Sequence, residues 1–312
     1  MKLPRRRGVY IRENPDPTPE RVFKVRHLER YVITMPSHFR TFTVTAITAL
    51  LALGACAPDG QAGDPTINEL AERVSAAPAD AELRLEFGTA FMLQDPPDYQ
   101  QAADQFAEAA RLRPDWAEAH YNHGVALAEL DRYAEAEKAF KSAIALAPEF
   151  APAWSNLGLI HHLHHRFAEA RNCYLRALKL EPGYYEAAFN LGCTYEELRK
   201  MPEALDAYAT AIELEPDKLP AYVNSARLYF IAGRYETALE RLTRADELKP
   251  GDPAILYNIY RCHKALGADE LADEYYRTAV NLDPRYAELP IETSGFIPLG
   301  TTAEAEEPEA TE

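Results

Sequence analysis

APAWSNLGLIHHLHHRFAEARNCYLRALKLEPGY, residues 151–184, decides how the rest of the chain is read. Its Pro182 belongs to a row of prolines at 114, 148, 182, 216, 250 and 284, spaced 34 residues apart without exception. Alanines at 136, 170, 204, 238 and 272 keep that spacing, as do alanines at 143, 177, 211, 245 and 279 and the glycines Gly124, Gly158 and Gly192. A fixed period of this length marks a repeat array, in which each unit is one supersecondary element that buries its apolar face against its neighbours. Each unit reads as two helices, a first of about thirteen residues and a second that stops before the proline, whose ring and missing N–H prevent its continuation. Dipeptides such as Asp131-Arg132 and Gly233-Arg234 supply the turn between them. Gly and Ala let the paired backbones approach, and Phe106, Phe140, Tyr174, Tyr208 and Tyr276 fill the space between units.

Over residues 151–184, Trp154, Leu157, Gly158, Ala170, Tyr174, Ala177 and Pro182 stand at the marked places of a known pattern, and the chain closely resembles the tetratricopeptide repeat family. The resemblance implies an all-α fold, an α-solenoid of about six helix-turn-helix repeats over residues 81–286 forming a right-handed superhelix, with a concave face lined by the first helix of each unit. Residues 66–80 read as an N-terminal capping helix, 287–302 as an extended C-terminal strip and 303–312 as a disordered acidic tail. The pattern departs at the ends. The first repeat carries two extra residues around Asp95-Pro96-Pro97-Asp98, the fifth and sixth replace glycine with Ala226 and Tyr260, and the fifth has Leu242 in place of the aromatic, which predicts altered crossing angles.

The chain has 312 residues, 47% hydrophobic and 26% charged, enough to build a core. Its net charge of -16 argues against a protein that neutralises phosphate backbones, so nucleic acid is excluded as a partner class. The charge is uneven, and residues 57–312 alone carry -22. Residues 41–53, TFTVTAITALLAL, form an uncharged run too short to cross a bilayer and of the length of a signal-peptide core. It leads into Leu53-Gly54-Ala55-Cys56, which resembles the lipobox of bacterial lipoproteins. That resemblance implies a signal peptide over residues 35–56, acylation of Cys56, a flexible linker over 57–65, and an exported protein held by lipid chains. Ala57 after the cysteine implies sorting to the outer membrane, facing the periplasm. Translation from Met35 would give an ordinary signal peptide, so residues 1–34 are expected to be a mis-annotated extension.

One polar position recurs on the first helix of the repeats: Asn122, Asn156, Asn190, Asn224 and Asn258. Five of the seven asparagines between residues 81 and 284 lie on this ladder, a bias that argues for a role. An amide side chain carries both a donor and an acceptor, so a row of them suits pairing with an extended backbone without demanding a sequence. It resembles the asparagine ladder of the repeat domain of O-linked N-acetylglucosamine transferase; packing between neighbouring helices is the competing reading. Flanking concave positions are Tyr121, Phe189, Val223 and Tyr257, with Glu129, Glu196 and Glu197 in the middle and Arg227, Arg261 and Lys264 toward the end, which suggests a grip on an acidic stretch of partner.

His161 and His165 share a helix face, but two ligands do not make a metal site, and His161 is expected in the core while its neighbours face solvent. Cys173 and Cys193 lie at similar distances from the turn between the third and fourth repeats and could sit at one level of a helix pair, but buried free thiols are the expected state. No nucleophile elbow, zinc-protease helix or phosphate-cradling loop appears, so no catalytic residue and no cofactor is expected. The sequence therefore reads as a non-catalytic scaffold or adaptor that binds a protein or peptide partner in the bacterial cell envelope, with an accessory activator of an envelope enzyme and a chaperone-like binder of extended peptides as alternatives.

Overall fold

The computed structural model describes residues 65–289. The lipobox Cys56, the signal peptide, the extension before it, the linker up to residue 64, the strip beyond Leu289 and the acidic tail lie outside the described residues. Within them the chain forms thirteen α-helices and one short 3-10 helix, with no strand. They are α1 (Ile67–Ala76), α2 (Ala81–Leu93), α3 (Tyr99–Leu112), α4 (Ala117–Glu129), α5 (Tyr133–Leu146), α6 (Ala151–Leu163), α7 (Phe167–Leu180), α8 (Tyr185–Glu197), α9 (Met201–Leu214), α10 (Leu219–Ile231), α11 (Tyr235–Leu248), α12 (Pro253–Ala265) and α13 (Asp269–Leu282), followed by the 3-10 turn Pro284–Glu288. From α2 onward the first helix of each repeat has 13 residues and the second 14. The chain divides into two compact units, one holding α1 to α7 and the other starting inside α8 at Ala188. Within each, helices pack consecutively in pairs, the arrangement of an α-solenoid.

In the first unit the core runs from Leu70 and Val74 of α1 through Phe87, Phe106, Phe140 and Phe150 to Cys173 of α7. α1 itself is fixed by a capping box, in which Thr66 accepts from the Glu69 amide while the Glu69 carboxylate accepts from the Thr66 amide. In the second unit the last repeat has its own cluster of Leu256, Tyr257, Tyr260, Ala272 and Tyr286.

The periodic residues explain the pairing. All ten alanines of the two 34-residue series have zero exposure, so a larger side chain there has nowhere to go. The glycines face the second-helix aromatics. A Cβ placed on Gly88, Gly124, Gly158 or Gly192 would lie within 3 Å of the ring of Phe106, Phe140, Tyr174 or Tyr208 respectively. The fifth repeat keeps the fit by exchanging both partners, with Ala226 and Leu242 each fully buried. The sixth does not exchange: Tyr260 and Tyr276 have ring centroids 5.1 Å apart, and Tyr276 is only half-buried.

The two kinds of helix end differ for a physical reason. First helices close through a residue in the left-handed region, at Asp131, His165, Arg199, Gly233 and Gly267, with φ between 59° and 74°. The residue after it donates its N–H to a carbonyl five residues back, as from Arg132 to Leu127 (2.9 Å) and from Arg234 to Tyr229 (2.9 Å). Second helices end instead at a non-helical residue before the proline, with φ -132° and ψ 85° at Ala147 and φ -133° and ψ 89° at Glu181.

Candidate partner-binding face

First helices carry the ladder, and the structure divides its members. Asn122, Asn156, Asn190 and Asn224 are half-buried, whereas Asn258 has no exposure at all and belongs to the interior of α12. Asn156 donates from Nδ2 to the Tyr121 hydroxyl at 3.1 Å. Asn224 donates from Nδ2 to the Tyr208 hydroxyl at 3.3 Å, with Cys193 Sγ at 3.8 Å. In both cases a tyrosine of the preceding repeat takes one N–H of the amide and fixes its orientation, and among the described residues no hydrogen bond reaches Oδ1.

Tyr121 and Tyr257, expected on the groove wall, are core residues with 1% and 2% exposure. Each ring packs on the aromatic that ends its own repeat, Tyr121 on Phe150 (4.8 Å between centroids) and Tyr257 on Tyr286 (5.3 Å). Such a pair is more stable buried than split by water. Phe189 shares the repeat position but is half-buried, with its ring 5.7 Å from that of Tyr208. Val223, also expected on this face, is buried.

Each residue of the expected basic end has a contact within the chain. Arg227 forms an ion pair with Glu196, which also accepts from the Tyr208 hydroxyl at 2.5 Å. Arg261 is 9% exposed, its guanidinium 4.9 Å from the Phe230 ring, and burial holds its pKa below the usual arginine value. Lys264 pairs with Asp269 at 2.6 Å. Arg261, expected on the open face, is buried instead. Arg227 and Arg261 meet a carboxylate and an aromatic face 31 residues earlier, because stacking makes residues of adjacent repeats neighbours, whereas Lys264 pairs five residues on, across the turn from α12 to α13.

The histidines follow packing. His161 is buried as expected, but His162 is buried too, edge-on to Phe167 at 5.1 Å, and burial lowers its pKa to about 4. His164 lies edge-on to Tyr133 with Nδ1 2.8 Å from the Ile160 carbonyl. Among the described residues no cluster of three His, Cys, Asp or Glu side chains has the arrangement of a metal site. Cys173, Cys193 and Cys262 are free thiols. Burial pushes them up to about 11, 11 and 12, so none is poised as a nucleophile.

One repeating contact escaped the sequence reading. In four of the six repeats the fourth residue of the first helix reaches back to the carbonyl of the preceding proline. Arg84 donates to Pro78 (3.3 Å), Trp154 to Pro148 (2.9 Å) and Tyr222 to Pro216 (3.1 Å), while His120 Nε2 lies 3.0 Å from the Pro114 carbonyl. Four different residue types share only a donor at the tip of a long side chain six residues after proline, and that shared property was the available signal.

Paired helices of constant length, glycine–aromatic crossings and a proline-stopped second helix define a helical repeat protein of the α-solenoid class. Profiles of the Tetratricopeptide repeat match residues 98–151, 151–184, 189–253 and 254–286, more than half of the chain, and the chain belongs to that family. Similar solved structures include YrrB, a TPR protein with an unusual peptide-binding site, at 21% identity and TM-score 0.53, covering 58% of this chain and 94% of YrrB. PilF of Pseudomonas aeruginosa is similar at 19% identity and TM-score 0.58, covering 69% of this chain and 97% of PilF. MamA matches at 19% identity and TM-score 0.51, covering 58% of this chain and 98% of its own. At these identities the likeness is one of fold. No curated protein sequence matches the chain significantly.

Proposed function

We propose that this protein is a non-catalytic scaffold or adaptor that binds an extended segment of a protein partner through the first helices of its repeats. The observation that carries the reading is the pair Asn156 and Asn224: each is half-buried, each is oriented by a tyrosine hydroxyl, and each keeps an unused carbonyl oxygen. Such an oxygen is suited to accept from a partner's backbone N–H, a contact indifferent to side-chain sequence. Asn122 and Asn190 share the repeat position and are included in the face, while Asn258 is left out of it by its burial. The peptide-binding site of YrrB supports the reading at the level of the fold.

The protein acts, in this proposal, in the bacterial cell envelope, anchored by acyl chains on Cys56 in the outer membrane and facing the periplasm. The hydrophobic run 41–53 that ends in the lipobox supports it. Crosslinking and capture from native envelopes, with wild type beside an Asn156→Ala/Asn190→Ala/Asn224→Ala variant, tests the face. Partners held by wild type and lost by the variant are expected, and identical capture by both would retire it. Cys56→Ser is expected to release the protein from the membrane fraction, and retention there would refute the anchor.

A further inference from the structure

Oxygen and nitrogen of a side-chain amide are nearly alike in shape, so hydrogen-bond partners decide which of the two points outward. At Asn224 those partners form a chain that ends on an ion pair, and all of its members lie within the second unit. Arg227 pairs with Glu196, and Glu196 accepts from the Tyr208 hydroxyl at 2.5 Å. A tyrosine hydroxyl has one proton, and a carboxylate takes it ahead of any neutral acceptor. Cys193 Sγ, 3.3 Å from the same hydroxyl, is only a weak acceptor. Tyr208 is left with lone pairs to offer Asn224. Only a donor can meet them, so Nδ2 turns inward at 3.3 Å and Oδ1 outward.

Each step of the chain has a fixed sense. The guanidinium only donates, the carboxylate only accepts, and the hydroxyl passes that sense to the amide. The Glu196 side chain is 15% exposed, so water has little access with which to replace a member of the chain.

The carboxylate is particular to this junction. From the second repeat to the sixth, the place of Glu196 is held by Ala128, His162, Glu196, Phe230 and Lys264. One repeat on, Arg261 stands where Arg227 does, and its guanidinium lies 4.9 Å from the Phe230 ring. A ring has replaced the carboxylate there, and the asparagine of that repeat, Asn258, has no exposure.

We propose that Glu196, held by Arg227 and acting through Tyr208, sets the polarity of Asn224, so that this place on α10 takes a partner's N–H and rejects a partner's carbonyl. The inference rests on the binding role proposed above for Asn224 and adds a requirement to it. The partner residue that meets Asn224 must keep its backbone N–H, which proline lacks. Glu196 and Tyr208 are positioning residues, since they act through the asparagine. An isosteric change should therefore invert the chain. In Glu196→Gln the new amide oxygen goes to Arg227 and the new NH2 donates to Tyr208. The freed hydroxyl proton then goes to Asn224 Oδ1, and the amide turns over with Nδ2 outward.

The test is NMR of the full chain carrying Cys56→Ser, with isotope-labelled asparagine and without partner. Nuclear Overhauser contacts from the Asn224 Nδ2 protons to the Tyr208 ring should be present in wild type and lost in Glu196→Gln. Exchange of those protons with water should become about tenfold faster in the variant. Tyr208→Phe should release the amide as well, and adding Glu196→Gln to it should change nothing further. Retained contacts and unchanged exchange in Glu196→Gln would overturn the proposal. Should that variant fail to fold, the wild-type Tyr208 hydroxyl proton decides: it should resonate far downfield beside the carboxylate, and an ordinary position would overturn the proposal too. Titration with a captured partner separates this inference from the binding role. Affinity should fall about tenfold in both Asn224→Ala and Glu196→Gln. An affinity unaltered by Asn224→Ala would refute the binding role itself, whereas one lowered by Asn224→Ala and unaltered by Glu196→Gln would refute the inference alone.

Discussion

Gly124 and Phe140 meet so closely that a Cβ on the glycine would lie 2.7 Å from the ring's Cε1. The ring is 1% exposed and has no room to retreat. Gly124→Ala should therefore destabilise the protein by about 1–3 kcal/mol despite the helix propensity gained. Phe140→Leu in the same chain should recover part of the loss, because the fifth repeat pairs Ala226 with Leu242 at these positions. Urea midpoints of the two single variants and the double variant check this, and strict additivity of the losses would refute it.

Arg199 occupies with φ of 60° the turn position that Gly233 and Gly267 fill in later repeats. A side chain there is strained, so Arg199→Gly is expected to stabilise by about 0.5–1 kcal/mol. His165→Gly should gain less, since the His165 ring lies against Phe167 at 5.6 Å. Thermal unfolding of both variants distinguishes them, and a fall in Tm for Arg199→Gly would contradict the strain argument.

The bond from Asn156 to the Tyr121 hydroxyl separates a binding role from a packing role. Tyr121→Phe and Asn156→Ala should each cost about 0.5–1.5 kcal/mol of stability. Only Asn156→Ala removes the carbonyl oxygen, so partner affinity should fall about tenfold in that variant and less than threefold in Tyr121→Phe. Equal losses, measured by titration with a captured partner, would assign Asn156 to packing alone.

Glu137 is gripped by Arg166 across a repeat boundary at 2.6 Å and by Lys141 at 2.6 Å, and these bonds hold its pKa down to about 2. A carboxylate with a lowered pKa adds stability above its unfolded value, which is lost as pH falls through the folded value. Wild type should exceed Glu137→Gln by about 1 kcal/mol above pH 5, after solvent screening of the half-exposed cations. The difference should vanish near pH 2. A gap between the two urea curves that is independent of pH from 2 to 7 would contradict the assignment.

The 34-residue period alone fixed the helix pairs, because proline, glycine and alanine act through backbone geometry that no neighbour can override. Even the departure at Ala226 and Leu242 was legible as a departure, though only the packed structure makes it a compensation, with both side chains fully buried. Of the ladder, its spacing belonged to the sequence. That Asn258 is buried while Asn156 and Asn224 keep an open oxygen did not, since that depends on which tyrosine or aromatic packs beside each one.

Charge was the least legible property. Arg227 and Glu196 are 31 residues apart, as are Arg113 and Glu82; the first pair meets because stacking sets α10 beside the preceding repeat, the second because α2 and the end of α3 pair within the first repeat. The sequence determined the repeat, its length and its punctuation, which rest on local backbone chemistry. Only the tertiary structure decided which tyrosines, asparagines and arginines face a partner, since burial and ion pairing depend on the side chains that the next repeat brings alongside.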